Sequence, residues 1–138
     1  MSGLVYVELK GEYISQNGLR GIIYFFEQNN VEYIYSGYLS VSIYDSDGDI
    51  DHINIPKSKV LNNENNIYTI FSTFLIDGEK YSLGFSPISN DKLTISFDSY
   101  KKLNTNFADF TWIYNSFLEK IGKKLFCFEN IVYHNYSY

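Results

Sequence analysis

Residues 104–126, Asn-Thr-Asn-Phe-Ala-Asp-Phe-Thr-Trp-Ile-Tyr-Asn-Ser-Phe-Leu-Glu-Lys-Ile-Gly-Lys-Lys-Leu-Phe, decide how the whole chain is read. They carry its sustained helical period: Phe107, Phe110, Tyr114, Phe117, Leu118, Ile121 and Leu125 recur at three- and four-residue spacing and fall on one stripe. Asn104 or Asn106 is suited to cap the start, Asp109 lies near the positive end of the helix dipole, and Lys120, Lys123 and Lys124 lie near its negative end, with Gly122 as the stop. An apolar stripe of this kind needs a sheet to lie on.

The segments before it alternate like strands. Residues 4–9 read as an opening strand, and 21–26 as a compact apolar strand after the turn Ser15-Gln16-Asn17-Gly18. Residues 31–35 put Val31, Tyr33 and Tyr35 on one face of a further strand. The hairpin over 38–55 is decided by register. A two-residue turn at Asp47-Gly48 would set Val41 against Asn54 and Ile43 against His52, mixing apolar and polar groups. A three-residue loop, Ser46-Asp47-Gly48, with Gly48 left-handed, pairs Leu39 with Ile55, Val41 with Ile53 and Ile43 with Asp51, and is preferred. A second hairpin turns on Asp77-Gly78 and pairs Phe74 with Tyr81, Ser72 with Leu83 and Ile70 with Phe85. Leu93, Ile95 and Phe97 alternate with Thr94 and Ser96, and 125–133 reads as a short final strand. The fold class is α+β: one domain over 1–138, a curled antiparallel β-meander of about eight or nine strands, with one C-terminal helix packed on it.

Composition narrows function by exclusion. Eleven Lys and Arg against sixteen Asp and Glu give a net charge of −5, unfavourable for a nucleic-acid binder that must release counterions. The acidity is N-terminal: Glu8, Glu12, Glu27, Glu32, Asp45, Asp47, Asp49 and Asp51 face only Lys10 and Arg20 in residues 1–56. No unbroken apolar run suits a membrane span, and the start lacks the basic lead and apolar core of a secretion signal, so a cytoplasmic protein is expected. The single cysteine, Cys127, stands in the apolar run Leu125-Phe126-Cys127-Phe128 and is expected to be a buried thiol.

Several constellations touch on chemistry. Asp45-Ser46-Asp47-Gly48-Asp49-Ile50-Asp51 spaces carboxylates as a calcium loop does, but an EF-hand starting at Asp45 would need Gly and Glu where Ile50 and Pro56 stand. His52 beside Asp51 is half of a hydrolytic arrangement, unaccompanied by a nucleophile elbow or a zinc-binding motif. Cys127 and His134, seven residues apart on an extended segment, fall on opposite faces more than ~20 Å apart. The glycines are dispersed at turns, and no phosphate loop is present. The expectation is no enzyme, no cofactor and no metal.

Tyrosines, fourteen of them, suit half-buried sheets and protein interfaces, and Trp112, between two stripe positions, is either a second core contact or an interface anchor. In being short, acidic, aromatic-rich and without catalytic motifs, the chain resembles the cytoplasmic immunity proteins of bacterial toxin systems. That resemblance implies an inhibitor that masks a basic protein partner such as a nuclease toxin, with Asp45, Asp47, Asp49, Asp51 and Trp112 as the contact residues. A β-rich small-ligand module, expected to carry a pocket of roughly 300–1,000 Å³, and a structural subunit of a phage or secretion assembly are the other readings.

Overall fold

The computed structural model describes residues 3–29, 38–44, 46–63 and 66–137. Seven antiparallel strands form one sheet among them: β1 (Gly3–Tyr13), β2 (Tyr38–Tyr44), β3 (Ile50–Pro56), β4 (Ile67–Ile76), β5 (Glu79–Ser89), β6 (Lys92–Phe97) and β7 (Phe126–Ser137). Their spatial order is β3-β2-β4-β5-β6-β1-β7, so the sheet stays open, with β3 and β7 at its edges. The sequence pattern predicts about eight or nine strands; seven are formed among the described residues. The last strand is not short, because its twelve residues run antiparallel along the length of β1. The strand expected over 31–35 lies outside the described residues.

Both hairpin registers follow from their turns. Leu39 pairs with Ile55, Val41 with Ile53 and Ile43 with Asp51, and Gly48 is left-handed at φ 84°. At the second turn Asp77 (φ 52°) and Gly78 (φ 83°) both take positive φ, the geometry that matches the twist of the flanking strands, and Phe74 meets Tyr81.

One face of the sheet is covered. The main correction to the sequence reading is α1 (Gly18–Gln28), because residues 21–26 are helical rather than extended. Seen alone, this run is continuously apolar and rich in β-branched and aromatic residues. With its flanks, Leu19, Ile22, Ile23, Phe25 and Phe26 form a buried helical stripe, and Arg20, Tyr24 and Glu27 point outward. The helices are therefore not confined to the C-terminal part; a short α2 (Lys57–Val60) follows β3, and the Lys57 ammonium pairs with Glu27 of α1.

The C-terminal helix is composite: α3 (Phe110–Ile113), a π-turn over Tyr114–Leu118, and α4 (Glu119–Lys124). It starts later than its period suggests. Asp109, not Asn104 or Asn106, caps it by accepting the Trp112 N–H at 3.1 Å. Asn104 instead closes a turn, its side-chain oxygen accepting the N–H groups of Asn106 and Phe107. Phe107, which precedes the helix, is exposed, and the wider π-turn rotates the stripe so that Ile113, Phe117, Leu118, Ile121 and Leu125 are buried while Tyr114 is exposed. Phe117 is central, with rings of Phe74, Tyr81, Phe97 and Trp112 within 6.3 Å of its own. Phe25 and Phe26 of α1 meet Phe74 and Phe85 of the same sheet face. Cys127 is exposed, contrary to expectation, because β7 alternates and it is Phe126 that points into the core. Among the described residues no helix is long and apolar enough to cross a membrane.

Candidate functional site

Among the described residues no helix covers the opposite face of the sheet, and its side chains align in rows. One row crosses all seven strands through Val132, Glu8, Thr94, Ser86, Thr69, Ser42 and His52. The next row holds His134, Tyr6, Ser96, Gly84, Phe71, Ser40 and Asn54. An uncovered face ordinarily carries long charged side chains with their heads in water. Here the centre is built from Thr, Ser and Gly, and charge appears only at the margins.

Small side chains create depth. A bowl of about 850 Å³ opens over β4, β5, β6, β1 and β7, floored by Thr69, Ser86, Thr94 and Ser96. Its sides include Tyr6 and Leu4 on one flank, Tyr68 and Ile88 on another, and Lys10, Lys92 and Asn130 at the rim. Thr69 and Ser86 share a 2.6 Å hydrogen bond and are both buried, so the floor is held rigidly. Gly84 has no room for a side chain: a Cβ there would meet Ser96 Oγ at 2.6 Å, Phe71 Cε1 at 2.8 Å and Thr69 Cγ2 at 2.9 Å.

The two histidines of the chain stand at opposite ends of this face. His134 is stacked on Tyr6, with ring centroids 4.2 Å apart, and its Nε2 lies 3.1 Å from the Glu8 carboxylate. At the other end His52 Nδ1 is 2.7 Å from Ser42 Oγ, with the Phe71 ring beside it. This is a serine–histidine contact, but Ser42 is only 2% exposed, which denies a substrate access to its oxygen. Asp98, still reached by solvent, has its carboxyl pushed above the usual range by partial desolvation, an effect the His52 charge opposes.

The acidic segment anticipated from the sequence forms the tip of the β2–β3 hairpin. Asp47, Asp49 and Asp51 are exposed there, and Asp45 lies outside the described residues. Beside them on the uncovered face, Tyr44 pairs with Ile50 across the hairpin, and Tyr44 packs edge-on against Tyr68 at 5.4 Å. All three are large and open to solvent: Tyr44 at 45%, Ile50 at 47% and Tyr68 at 38%.

Trp112 is not part of this group. It packs on Tyr81 and Phe117 against the covered face, with Lys101 over its ring. Tyr81 pairs with Phe74 near one end of β4, whereas the acidic tip adjoins the other, where Tyr44 N–H donates to Asn66 O. Among the described residues no group of three or more His, Cys, Asp or Glu side chains is arranged to hold a metal ion. The bowl itself was not anticipated; its one signal was the run of Ser, Thr and Gly at outward positions of β4, β5 and β6. Comparison with protein-family models, with curated proteins and with solved structures finds no match to this chain.

Proposed function

We propose that this chain is a small acidic binding protein of the inhibitor or immunity type, which neutralises a basic protein partner through the tip of the β2–β3 hairpin. One observation carries the reading: the exposed carboxylates of the hairpin tip, Asp47 and Asp49 in the turn and Asp51 next to it on the other face of β3, adjoin the solvent-open Tyr44, Ile50 and Tyr68. Apolar side chains next to charge of one sign let a protein interface combine contact area with steering, the rings supplying buried area and the carboxylates raising the encounter rate with a cationic partner. The net charge of −5 acts in the same direction at longer range. Trp112, on the other side of the sheet, is assigned to the core.

The test separates the two contributions. With a basic partner obtained from the neighbouring reading frame or by capture, association is measured at low and high salt. Asp47→Asn, Asp49→Asn and Asp51→Asn together lower the association rate by about tenfold at low salt and flatten its salt dependence, leaving the melting temperature unchanged or slightly raised. Tyr44→Ala acts instead on dissociation. Equal rates and equal salt slopes for wild type and the triple variant would remove the acidic tip from the interface.

A further inference from the structure

The bowl adjoins the hairpin patch, with Tyr68 common to both, and is chemically different from it. At about 850 Å³ it falls within the range of roughly 300–1,000 Å³ typical of small-molecule sites. Its floor carries the hydroxyls of Thr69 and Ser86, bonded to each other, and those of Thr94 and Ser96, which can still accept a hydrogen bond, with Leu4, Ile88 and Val132 among the apolar side chains around them. A wholly apolar ligand would strip water from Thr94 and Ser96 and return no hydrogen bonds, at a cost for each. A ligand that is itself rich in hydroxyls exchanges like for like. Tyr6 and Tyr68 add aromatic rings to the sides, of the kind that pack against the C–H faces of a sugar ring.

The rim is polar in a particular way. Lys10 and Lys92 are direct cross-strand partners, an arrangement of like charges that weakens a sheet. Asp91, in the adjacent turn, offsets one of the two charges; its carboxyl is held below the usual range by the Ser89 hydroxyl at 2.6 Å and by both lysines. Glu8, the acid that lines the bowl itself, lies 3.1 Å from His134 Nε2. The two ammonium groups thus stand side by side at the rim, where one anion can reach both.

We propose that the bowl binds a polyol of monosaccharide size bearing one anionic group, a carboxylate or a phosphate ester, with the hydroxyl floor against the sugar and Lys10 and Lys92 against the anion. The bowl shares Tyr68 with the hairpin patch, but its hydroxyls and both lysines lie outside that patch, so the proposal does not rest on a protein partner binding there.

The experiment titrates the isotope-labelled full chain with D-glucuronate, D-galacturonate, D-glucose 6-phosphate, D-glucose and inorganic phosphate, and follows backbone amide signals. An anionic sugar is expected to move the signals of Glu8, Lys10, Thr69, Ser86, Lys92 and Thr94 together. Glucose and inorganic phosphate should each bind about tenfold or more weakly than the best anionic sugar. Thr94→Val, which removes a floor hydroxyl at constant shape, should weaken that sugar by about fivefold to tenfold. The surface pair Lys10→Gln and Lys92→Gln should erase the preference for the anionic sugar over glucose without lowering the melting temperature. No response to any of the three anionic sugars overturns the proposal. So does an identical response to glucose 6-phosphate and to inorganic phosphate confined to the lysines, which would mark an anion contact only. A concentration-dependent dimer that buries the Thr94 row would assign the face to a second copy of this chain.

Discussion

The two faces of the sheet are built from the same strands, residue by residue in alternation, and yet they solve opposite problems. On the covered face Val7, Leu83, Phe85 and Ile95 are buried, and the rings of Phe25, Phe26, Phe74 and Phe117 lock α1 and the C-terminal helix onto them. Volume is filled. On the uncovered face the neighbours of those residues are Glu8, Ser82, Gly84, Ser86, Thr94 and Ser96, and volume is left open in the middle of a concave surface. A sheet can be tightly specified by one face and leave the chemistry of the other free for recognition, because side chains two apart share a face and adjacent ones do not.

That contrast predicts a graded set of stability effects. The largest belongs to the covered face: Phe117→Ala should cost about 3–5 kcal/mol in denaturant titration, since the ring is nearly fully buried among four others. A loss below about 1 kcal/mol would show that the aromatic cluster does not hold the helix to the sheet. Next is Gly84→Val on the uncovered face, where the new side chain meets Ser96, Phe71 and Thr69 and should cost about 1–3 kcal/mol by overpacking. If it were tolerated without loss, the floor of the bowl would be softer than its hydrogen bonds suggest. The smallest effect is that of Asp98→Asn. With its folded pKa raised above the unfolded value of about 3.9, Asp98 keeps a proton in the native state that the unfolded chain has released, so rising pH lowers stability through that window and the deficit persists above it. The asparagine variant should melt slightly higher than wild type at neutral pH and at the same temperature once the pH falls below the unfolded value. Equal melting at both pH values would mean that solvent already satisfies the carboxylate.

Much of the covered face was legible in the sequence, because its signals are local. The alternation of Leu93, Ile95 and Phe97 gives a strand, and the two glycine-containing turns fix two hairpins. The acidic tip was equally plain, being contiguous. What escaped was non-local. The apolar run at 21–26 satisfies either secondary structure over so short a window, and the choice of helix reflects the need to cover Phe74 and Phe85. Cys127 was misplaced because an apolar neighbourhood in sequence says nothing about which face of a strand a residue occupies.

By itself, then, the sequence determined an antiparallel α+β class, the pairing within each hairpin and an apolar helix near the C-terminus, all of which depend on residues a few positions apart. Only the tertiary structure decided the rest. The π-turn that carries Phe117 into the aromatic cluster and Tyr114 out of it depends on what the helix packs against, and helical period alone cannot specify that. The alignment of Glu8 with Thr94 and Val132, which completes the row of hydroxyls and creates the bowl, joins strands from the two ends of the chain. Pairing between such distant strands has no turn to fix its register; it is set by burying Val5, Val7 and Leu9 against a common core, and the side chains on the other face are carried into line as a consequence.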